Sequence, residues 1–430
     1  MLFLRKKYLS RIKKFLPNRN SLILVWPRQV WKSSLIKILI QERIVENFCL
    51  LNWDDLQFEN FKSPKEFLDF LDFKYDVLNK KVLIIDEAQK IQNIWIFIKY
   101  LVDKNKNWEI DLKTIISWSW SLKIFQWITD SLIWRYDLIN IKPFDFQEFL
   151  EFSWVKLEKI NLNFLDKNQE IPEFFLNEIK KFFEIYKKFW WYPDVILAKT
   201  GDEKKSKLKS IYEDYLYKDI AFLLKNKDFI SFEKFLKIIA SKVWSLISLQ
   251  NIAEELWVKR NTVEKFFDVL KSSFLFSEVQ PFAWWKVLNE IKKQKKYYIV
   301  DLWMLNYLLW IFDFSWDFKW KIIENFVFNE ISVNKADFQD VYFWQNRNLT
   351  EVDFLLIDKF DKKISTIEVK SWAKDLIPRS LLWFLDKYWE FVNKNFVTSD
   401  WIFKKRNLDL KEFEFIDYRF FWIYLSESQK

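Results

Sequence analysis

The near absence of glycine constrains this sequence more than any other feature. Glycine is normally about 7% of a protein, so a chain of this length should hold roughly 30 glycines. The chain has 430 residues with one glycine and 26 tryptophans. Glycine is the residue that enters left-handed backbone conformations without steric cost. Either the tight turns of this protein use other residues, or many tryptophans stand where the natural protein has glycine.

Tryptophan occupies two positions where a well-defined pattern requires glycine. The apolar run Leu22–Val25 is followed by Trp-Pro-Arg-Gln-Val-Trp-Lys-Ser, residues 26–33. With glycine in place of both tryptophans, this segment reads G-x-x-x-x-G-K-S, the phosphate-binding P-loop. Our hypothesis is that the gene reads UGA as glycine, as some bacterial lineages do, and that UGA has been translated here as tryptophan. A truly tryptophan-rich protein is the alternative.

The energetic cost of so many tryptophans supports this hypothesis. A bulky residue in a left-handed or strained conformation costs about 1–3 kcal/mol. Roughly twenty such positions would exceed the 5–15 kcal/mol stability of an ordinary domain. We therefore expect the chain as written to bind ATP poorly, and we expect turns at four of these residues: Trp31, Trp118, Trp190 and Trp257.

Composition excludes several classes of chemistry. The chain has no histidine, which excludes Ser-His-Asp triads, histidine-metal sites and imidazole bases. Its one cysteine, Cys49, excludes an internal disulfide and fits a reducing compartment. A net charge of +9 permits contact with DNA, although a lysine-rich solvated surface explains it equally well. No signal peptide or membrane-spanning run is present, so we expect a cytoplasmic protein that does not use the membrane.

Hydrophobic periodicity divides the chain into four segments. Residues 1–150 alternate apolar runs with helical patterns, which predicts an α/β domain with a parallel sheet. Residues 151–228 are predicted to form a helical lid or linker, 229–319 a small helical bundle with strand-like material, and 320–430 a second α/β domain. The strands predicted in the first domain are Leu22–Val25, Phe48–Asn52, Val82–Ile85 and Thr114–Ile116, and the helices are Lys32–Gln41, Lys65–Leu71 and Ile91–Val102.

The third segment contains a helix-turn-helix pattern. A helix ending at Leu256 is followed by a glycine-type turn at Trp257 and a second helix that begins near Asn261. This spacing is typical of helix-turn-helix units, whose second helix enters the DNA major groove. The helix carries few cations, so a spacer that packs against the first domain is the alternative.

Two segments of the first domain carry the groups that nucleotide hydrolysis needs. Lys32 is predicted to neutralise the β- and γ-phosphates, and Ser33 to hold Mg²⁺. Asp86 and Glu87 follow the apolar run Val82–Ile85, where Asp86 would hold Mg²⁺ through water and Glu87 would polarise the attacking water. The remaining residues of the predicted phosphate loop are Trp26, Pro27, Arg28, Gln29, Val30, Trp31 and Ser34.

Two further positions are candidates for sensing the γ-phosphate. Ser117 and Ser119 follow the apolar run Thr114–Ile116, and an ordinary loop is the alternative for both. Arg135 is a candidate arginine finger, acting in its own subunit or on a neighbour. A surface ion pair is the alternative for Arg135.

With glycine restored, several motifs resemble those of one family. They are G-P-R-Q-V-G-K-S (26–33), L-I-I-D-E-A-Q-K (83–90), S-G-S (117–119), G-R-Y-D-L (134–138), P-F-D-F-Q-E-F-L (143–150), G-G-Y-P (190–193) and E-V-D-F…E-V-K (351–370). The chain resembles a bacterial and archaeal family of AAA+-related ATPases over nearly its full length. The resemblance implies an AAA-type ATPase domain, a winged-helix segment and a C-terminal restriction-endonuclease-like domain of unknown function. Trp95 and Trp344 are regarded as genuine, because the family tolerates aromatic residues there.

The last segment contains an arrangement similar to the D…ExK motif of PD-(D/E)XK nucleases. Asp353 and Glu368 are predicted to lie on neighbouring strands and to share a divalent metal. Lys370 lies on the same strand face as Glu368, near the attacked phosphate. Glu324, on the preceding helix, would complete the site. The alternative is a retained fold in which Asp353 pairs with Lys370.

Together these patterns predict an ATPase that uses ATP and Mg²⁺ and couples nucleotide state to the winged-helix and nuclease-like segments. An ATP-regulated, Mg²⁺-dependent DNA nuclease is the first alternative. A switch that holds nucleotide without hydrolysis and recruits DNA or protein is the second. Either protein could form an oligomer.

Overall fold

A computed structural model describes most of the chain as two compact units, Met1–Pro143 and Phe144–Lys430. Within the described residues no helix is both long and apolar enough to cross a membrane. The described residues are 3–26, 32–52, 63–88, 91, 94–119, 134–153, 155, 172–189, 192, 195, 197–220, 224, 226–243, 245–273, 275–282, 295–309, 316–346, 348, 350–371, 376–400, 402–408 and 411–427.

The first unit is built on a five-stranded parallel sheet with strand order β2-β3-β4-β1-β5. Its strands are β1 (Ser21–Trp26), β2 (Phe48–Asn52), β3 (Val82–Asp86), β4 (Lys113–Ser119) and β5 (Tyr136–Asn140). Its helices are α1 (Lys6–Phe15), α2 (Lys32–Gln41), α3 (Pro64–Tyr75) and α4 (Ile94–Lys106). The predicted α/β fold with a parallel sheet is confirmed.

The burial of the central strands explains why their pattern could be predicted. Leu22, Ile23 and Leu24 are all fully buried, as expected for a parallel strand covered on both faces. Helix α1 was not predicted. Its buried face contains Tyr8 and Ile12, and the Lys113 ammonium donates to the Phe15 carbonyl oxygen at 2.8 Å near the end of the helix.

The second unit begins with helices. They are α5 (Phe146–Phe152), α6 (Glu173–Phe189), α7 (Gly201–Asp214), which continues as a π-helix (Tyr215–Ile220), α8 (Asn226–Lys242), α9 (Leu249–Leu256) and α10 (Arg260–Ser272). Helices α9 and α10 are joined by a turn at Trp257, and the apolar face of α10 buries Val263, Phe266 and Leu270.

An eight-stranded mixed sheet forms the rest of this unit, in the order β12-β13-β11-β10-β9-β8-β6-β7. The strands are β6 (Phe276–Pro281), β7 (Lys296–Ile299), β8 (Gln339–Gln345), β9 (Glu351–Asp358), β10 (Ile364–Val369), β11 (Val392–Ser399), β12 (Lys404–Leu408) and β13 (Lys411–Asp417). The helices that accompany it are α11 (Leu302–Leu309), α12 (Trp316–Asn334), α13 (Arg379–Tyr388) and α14 (Trp422–Glu427).

The β6–β7 hairpin links the third predicted segment to the fourth. Strand β7 pairs antiparallel with β6, and β6 pairs in parallel with β8 through Gln280 and Pro281. The strand material that follows α10 is therefore continuous with the sheet of the C-terminal segment.

Residues 144–152 belong to the second unit. The Asp145 side chain accepts from the Glu148 amide in a capping box that starts α5. The Phe146 amide donates to Glu330 Oε1 at 2.9 Å, and the Phe146 ring contacts Phe326 at 5.9 Å between centroids. The first compact unit thus ends at Pro143, ahead of the boundary predicted at residue 150.

Three tryptophans of the described residues occupy the left-handed backbone region. Trp108, Trp134 and Trp257 have φ values of 63°, 65° and 56°, and their exposed fractions are 78%, 86% and 95%. Bulky residues rarely adopt this conformation, which is the ordinary territory of glycine. The expected turn at Trp257 is observed, whereas Trp31 and Trp190 lie outside the described residues.

The turn expected at Trp118 is wrong. Trp118 lies in β4 opposite Val25 of β1 and is only 3% exposed. Its ring packs against that of Trp95 at 4.6 Å between centroids. The parallel pairing of β4 continues as far as Ser119, so the indole at position 118 points into the packed layer beside the sheet.

Candidate functional site

The first candidate site lies at the carboxyl edge of the parallel sheet. Trp26, at the end of β1, is opposite Ser119 in the pairing of β1 with β4. Asp86 ends β3 directly after the pair Ile85 and Ile116. Because parallel strands end at a common edge, these residues lie along the crevice where α/β proteins bind ligands.

Helix α2 begins at Lys32 after the segment that follows β1. A helix amino terminus directs free backbone N–H groups toward an anion, so the strand–loop–helix order predicted for the phosphate loop is present on both sides of the loop. Pro27, Arg28, Gln29, Val30 and Trp31 lie outside the described residues, as do the side chains of Trp26, Lys32, Ser33, Ser34 and Ser119. Their individual roles stay predictions.

The described chemistry at this edge centres on Asp86. Asp86 Oδ1 accepts from the Glu87 amide at 3.0 Å and from the Ser117 hydroxyl. Ser117 Oγ also accepts from the Glu87 amide at 2.9 Å, and Ser117 is fully buried. Ser117 therefore fixes the turn that carries both carboxylates. Sequence reasoning assigned Ser117 only a sensing role, although a hydroxyl inside a buried apolar strand is a signal for such a contact.

Glu87 adopts a strained backbone. Its φ is 54°, in the left-handed region, and such a conformation costs about 1–3 kcal/mol for a residue other than glycine. The strain turns the chain sharply after β3 and places Glu87 immediately beyond Asp86. Oxygen ligands suit Mg²⁺, so Asp86 at a strand end beside a helix amino terminus fits an ion that accompanies a bound nucleotide.

Arg135 lies at the opposite edge of the same sheet. Its carbonyl accepts from the amide of Ser21, the first residue of β1, whereas the predicted phosphate loop follows Trp26, the last. Five residues of strand span roughly 16 Å. Arg135 Nε donates to Asp103 Oδ1 at 2.6 Å, which is the ion pair offered as the alternative. The structure does not bring Arg135 together with Asp86 within one chain, and action on a neighbour stays a prediction.

The second candidate site lies on β9 and β10 of the second unit. These strands are antiparallel neighbours, with Phe354 opposite Ile367. Asp353 Oδ2 accepts from the Val369 amide at 2.7 Å, and Lys370 Nζ donates to Glu368 Oε1 at 2.7 Å. The structure thus brings Asp353, Glu368 and Lys370 together. The ammonium pairs with Glu368, not with Asp353 as the alternative assumed.

Glu324 of α12 joins this cluster with residues that sequence reasoning missed. Tyr298 Oη donates to Glu324 Oε1 at 2.7 Å, and Lys296 Nζ lies 3.5 Å from the same oxygen. Lys296 also donates to Glu351. Glu351 begins the E-V-D-F motif, while Lys296 belongs to the run Lys-Lys-Gln-Lys-Lys that precedes Tyr297. Nothing local in that run distinguishes Lys296 from its neighbours.

Burial dominates the electrostatics of the second site. It raises the pKa of Glu324 above the usual glutamate range, and Lys296 only partly offsets this effect. Burial also raises the pKa of Glu368, with Asp353 adding to the shift and Lys370 opposing it. Burial lowers the pKa of Lys370, but Glu368 and Asp353 outweigh it, so this ammonium stays charged. Both lysines therefore act as counter-ions to crowded carboxyl groups.

One carboxylate oxygen of the cluster lacks a partner. Glu368 is 4% exposed, and among the described residues its Oε2 has no hydrogen-bond donor. In the same part of the chain, no three cysteine or acidic side chains converge closely enough to hold a metal ion. As described, the carboxylates contact two ammonium groups and are not arrayed around a common centre.

Three protein-family models match successive parts of the chain. Residues 18–150 match a family described as "AAA domain". Residues 191–315 and 321–407 match two families described as domains of unknown function, DUF8612 and DUF4143. These ranges follow the order of segments that the sequence predicts.

Two curated relatives extend the similarity over most of the chain. An uncharacterized protein of Methanocaldococcus jannaschii, MJ1544, is 24% identical over 80% of this chain and 73% of its own length. An uncharacterized protein of Haemophilus influenzae is 24% identical over 69% of this chain and 71% of its own length. Neither name assigns an activity.

Solved structures give weaker likenesses. A mutant of RuvB from Thermotoga maritima matches with a TM-score of 0.28 and 14% identity, covering 64% of this chain and 89% of its own. The replication initiator DnaA, bound to AMPPCP and single-stranded DNA, matches with a TM-score of 0.27 and 15% identity over 62% of this chain and 88% of its own. These scores carry no argument about function. The family match and the observed parallel sheet together make residues 18–150 an AAA-type, ATPase-like domain.

Proposed function

We propose that the first unit binds and hydrolyses ATP in its glycine-containing natural form. The observation that carries this proposal is the arrangement of Asp86, Glu87 and Ser117 at the carboxyl edge of the sheet. That edge also carries the start of α2, within the segment that matches an AAA domain.

Each residue has a defined task in this proposal. Lys32 neutralises the β- and γ-phosphate oxygens, while Ser33 and Asp86 hold Mg²⁺, which neutralises the charge that develops on the phosphates. Glu87 accepts a hydrogen bond from the attacking water and orients it. Ser117 acts on none of these groups directly but holds the carboxylate of Asp86 in place.

The natural protein, in this proposal, has glycine at positions 26 and 31. A side chain at either position would prevent the close backbone approach that phosphate binding needs. Three tryptophans with left-handed backbone and exposed side chains support the same replacement elsewhere in the chain. The mass of the peptide that contains residue 31, measured from the native organism, tests the recoding, because a tryptophan mass there would refute it.

Phosphate release tests the hydrolysis. We expect Mg²⁺-dependent ATP hydrolysis by the chain with glycine at the suspect tryptophans and little by the chain as written. Lys32→Ala should abolish the activity, whereas Lys37→Ala, an exposed lysine on the same helix, should not. Hydrolysis that survives Lys32→Ala would contradict the assignment. ATP binding without phosphate release would favour the non-hydrolysing switch.

A second candidate function is Mg²⁺-dependent cleavage of DNA by the C-terminal segment. The meeting of Asp353, Glu368 and Lys370, with the unpartnered Glu368 Oε2 beside them, favours it. Asp353→Asn should then abolish the nicking of supercoiled plasmid in the presence of Mg²⁺. Asp361→Asn, an exposed aspartate in the following turn, is the control. No nicking by the unsubstituted chain would exclude this function.

Residues 229–319 are proposed to couple the two activities as a winged-helix-like segment. The cations of α10 favour a spacer over a DNA-reading helix, because Arg260 pairs with Glu264 at 3.0 Å and Lys271 with Asp268 at 3.2 Å. The β6–β7 hairpin connects this segment to the sheet that carries the carboxylate cluster. An oligomer would allow Arg135 to act on a neighbouring subunit.

A further inference from the structure

We propose that Lys296 is an internal competitor for a divalent cation, and that its ammonium group occupies a cation position formed by Glu324 and Glu351. Lys296 Nζ lies 3.5 Å from Glu324 Oε1 and donates to Glu351. The inference rests on the carboxylate cluster of the second candidate function, but not on DNA cleavage.

The burial of Lys296 shows that the carboxylates hold it in place. Its side chain is 5% exposed, and that of Glu324 is 2% exposed. A lysine ordinarily keeps its ammonium group in water, and burying that group costs several kcal/mol unless carboxylates compensate. Lys295, the preceding residue, shows the ordinary behaviour, since it is 41% exposed and pairs with Glu278 at 2.6 Å.

The charge of the cluster leaves room for a cation of higher charge. Four carboxyl groups, those of Glu324, Glu351, Asp353 and Glu368, face two ammonium groups, those of Lys296 and Lys370. Glu368 Oε2 is buried and has no donor among the described residues. Carboxylate oxygens in excess of their cationic partners are the ligands that Mg²⁺ and Mn²⁺ prefer.

The position of Lys296 makes displacement feasible. Lys296 is the first residue of β7, the edge strand of the sheet, which pairs with β6 alone among the described strands. An edge strand is hydrogen-bonded on one side only. The start of β7 can therefore move without separating two neighbouring strands. Because β6 and β7 follow α10 in the chain, a shift in that helical segment would reach the cluster through Lys296.

Manganese titration of the full chain tests this competition. We expect Lys296→Ala to lower the Mn²⁺ dissociation constant, measured by isothermal titration calorimetry, by about tenfold or more, since it removes a like charge from the site. Lys295→Ala is the matched control and should stay within about twofold of the unsubstituted chain. If Lys296→Ala binds Mn²⁺ no more tightly than Lys295→Ala, the proposal is overturned.

Thermal unfolding covers the case in which Lys296→Ala folds poorly. This variant leaves buried carboxylates without their counter-ion, so its melting temperature in EDTA should fall below that of Lys295→Ala. Mn²⁺ should restore most of the loss, and a loss that Mn²⁺ does not restore would overturn the proposal. Tight Mn²⁺ binding without plasmid nicking would refute the nuclease function while leaving this inference standing.

Discussion

Replacing Trp257 with glycine should stabilise the second unit. Trp257 has φ and ψ values of 56° and 40° and ends α9, where its amide donates to the Ala253 and Glu254 carbonyls. It is 95% exposed, so removing the indole loses almost no buried apolar surface. The substitution keeps the capping hydrogen bonds, because they come from the backbone. Only the conformational energy changes.

The size of the effect follows from two opposing contributions. A left-handed conformation costs an L-residue about 1–2 kcal/mol, and glycine escapes this cost. Glycine loses more backbone entropy on folding, which offsets about 0.5–1 kcal/mol of that gain. The net stabilisation is about 0.5–1 kcal/mol, or roughly 1–3 °C in the melting temperature of a domain of this size.

Urea denaturation of the Trp257→Gly variant measures this difference directly. Trp344→Gly is the matched control, because Trp344 is 8% exposed on β8 and its ring contacts Phe384 at 5.4 Å between centroids. Loss of a buried indole should cost about 3–5 kcal/mol. If Trp257→Gly also lowers the denaturation midpoint, residue 257 is not a glycine position and the recoding argument fails there.

Three other outcomes follow from described contacts. Ser117→Ala removes the hydroxyl that donates to Asp86 and should lower kcat for ATP about tenfold at unchanged nucleotide affinity; an unchanged kcat in steady-state assays would refute the positioning role. Because burial raises the pKa of Glu368 to about 8 in the folded state, its contribution to stability is complete below the unfolded pKa and is lost as pH rises through the folded value. Urea curves at pH 5 and pH 8 should therefore differ less for Glu368→Gln than for the unsubstituted chain, and equal differences would contradict this. Glu330→Ala leaves the buried Phe146 amide without its acceptor and should cost the second unit about 1–3 kcal/mol in thermal melting. Glu178→Ala, at an exposed glutamate of α6, is its control, and equal melting of the two variants would show that the amide finds another partner.

Local sequence pattern predicted the elements whose residues are buried on every side. The bounds of α2 and β2 agree with the prediction, and β1 and β3 each extend it only at their ends. Strand β5 escaped prediction because its burial is mostly intermediate, which leaves neither a continuous apolar run nor a clear alternation. Strand β12 is exposed along its whole length and shows no periodic signal.

The sequence by itself determined which chemical groups are available. The P-loop pattern, the Asp86–Glu87 pair and the Asp353…Glu368…Lys370 spacing are all local, because a strand or a turn sets the spacing of its own side chains. Only the tertiary structure decided which of these groups meet. Parallel pairing placed Ser117 beside Asp86 and Arg135 at the far edge of the sheet. Chain folding over long sequence separations also buried Lys296 between Glu324 and Glu351, and no local spacing encodes such a contact.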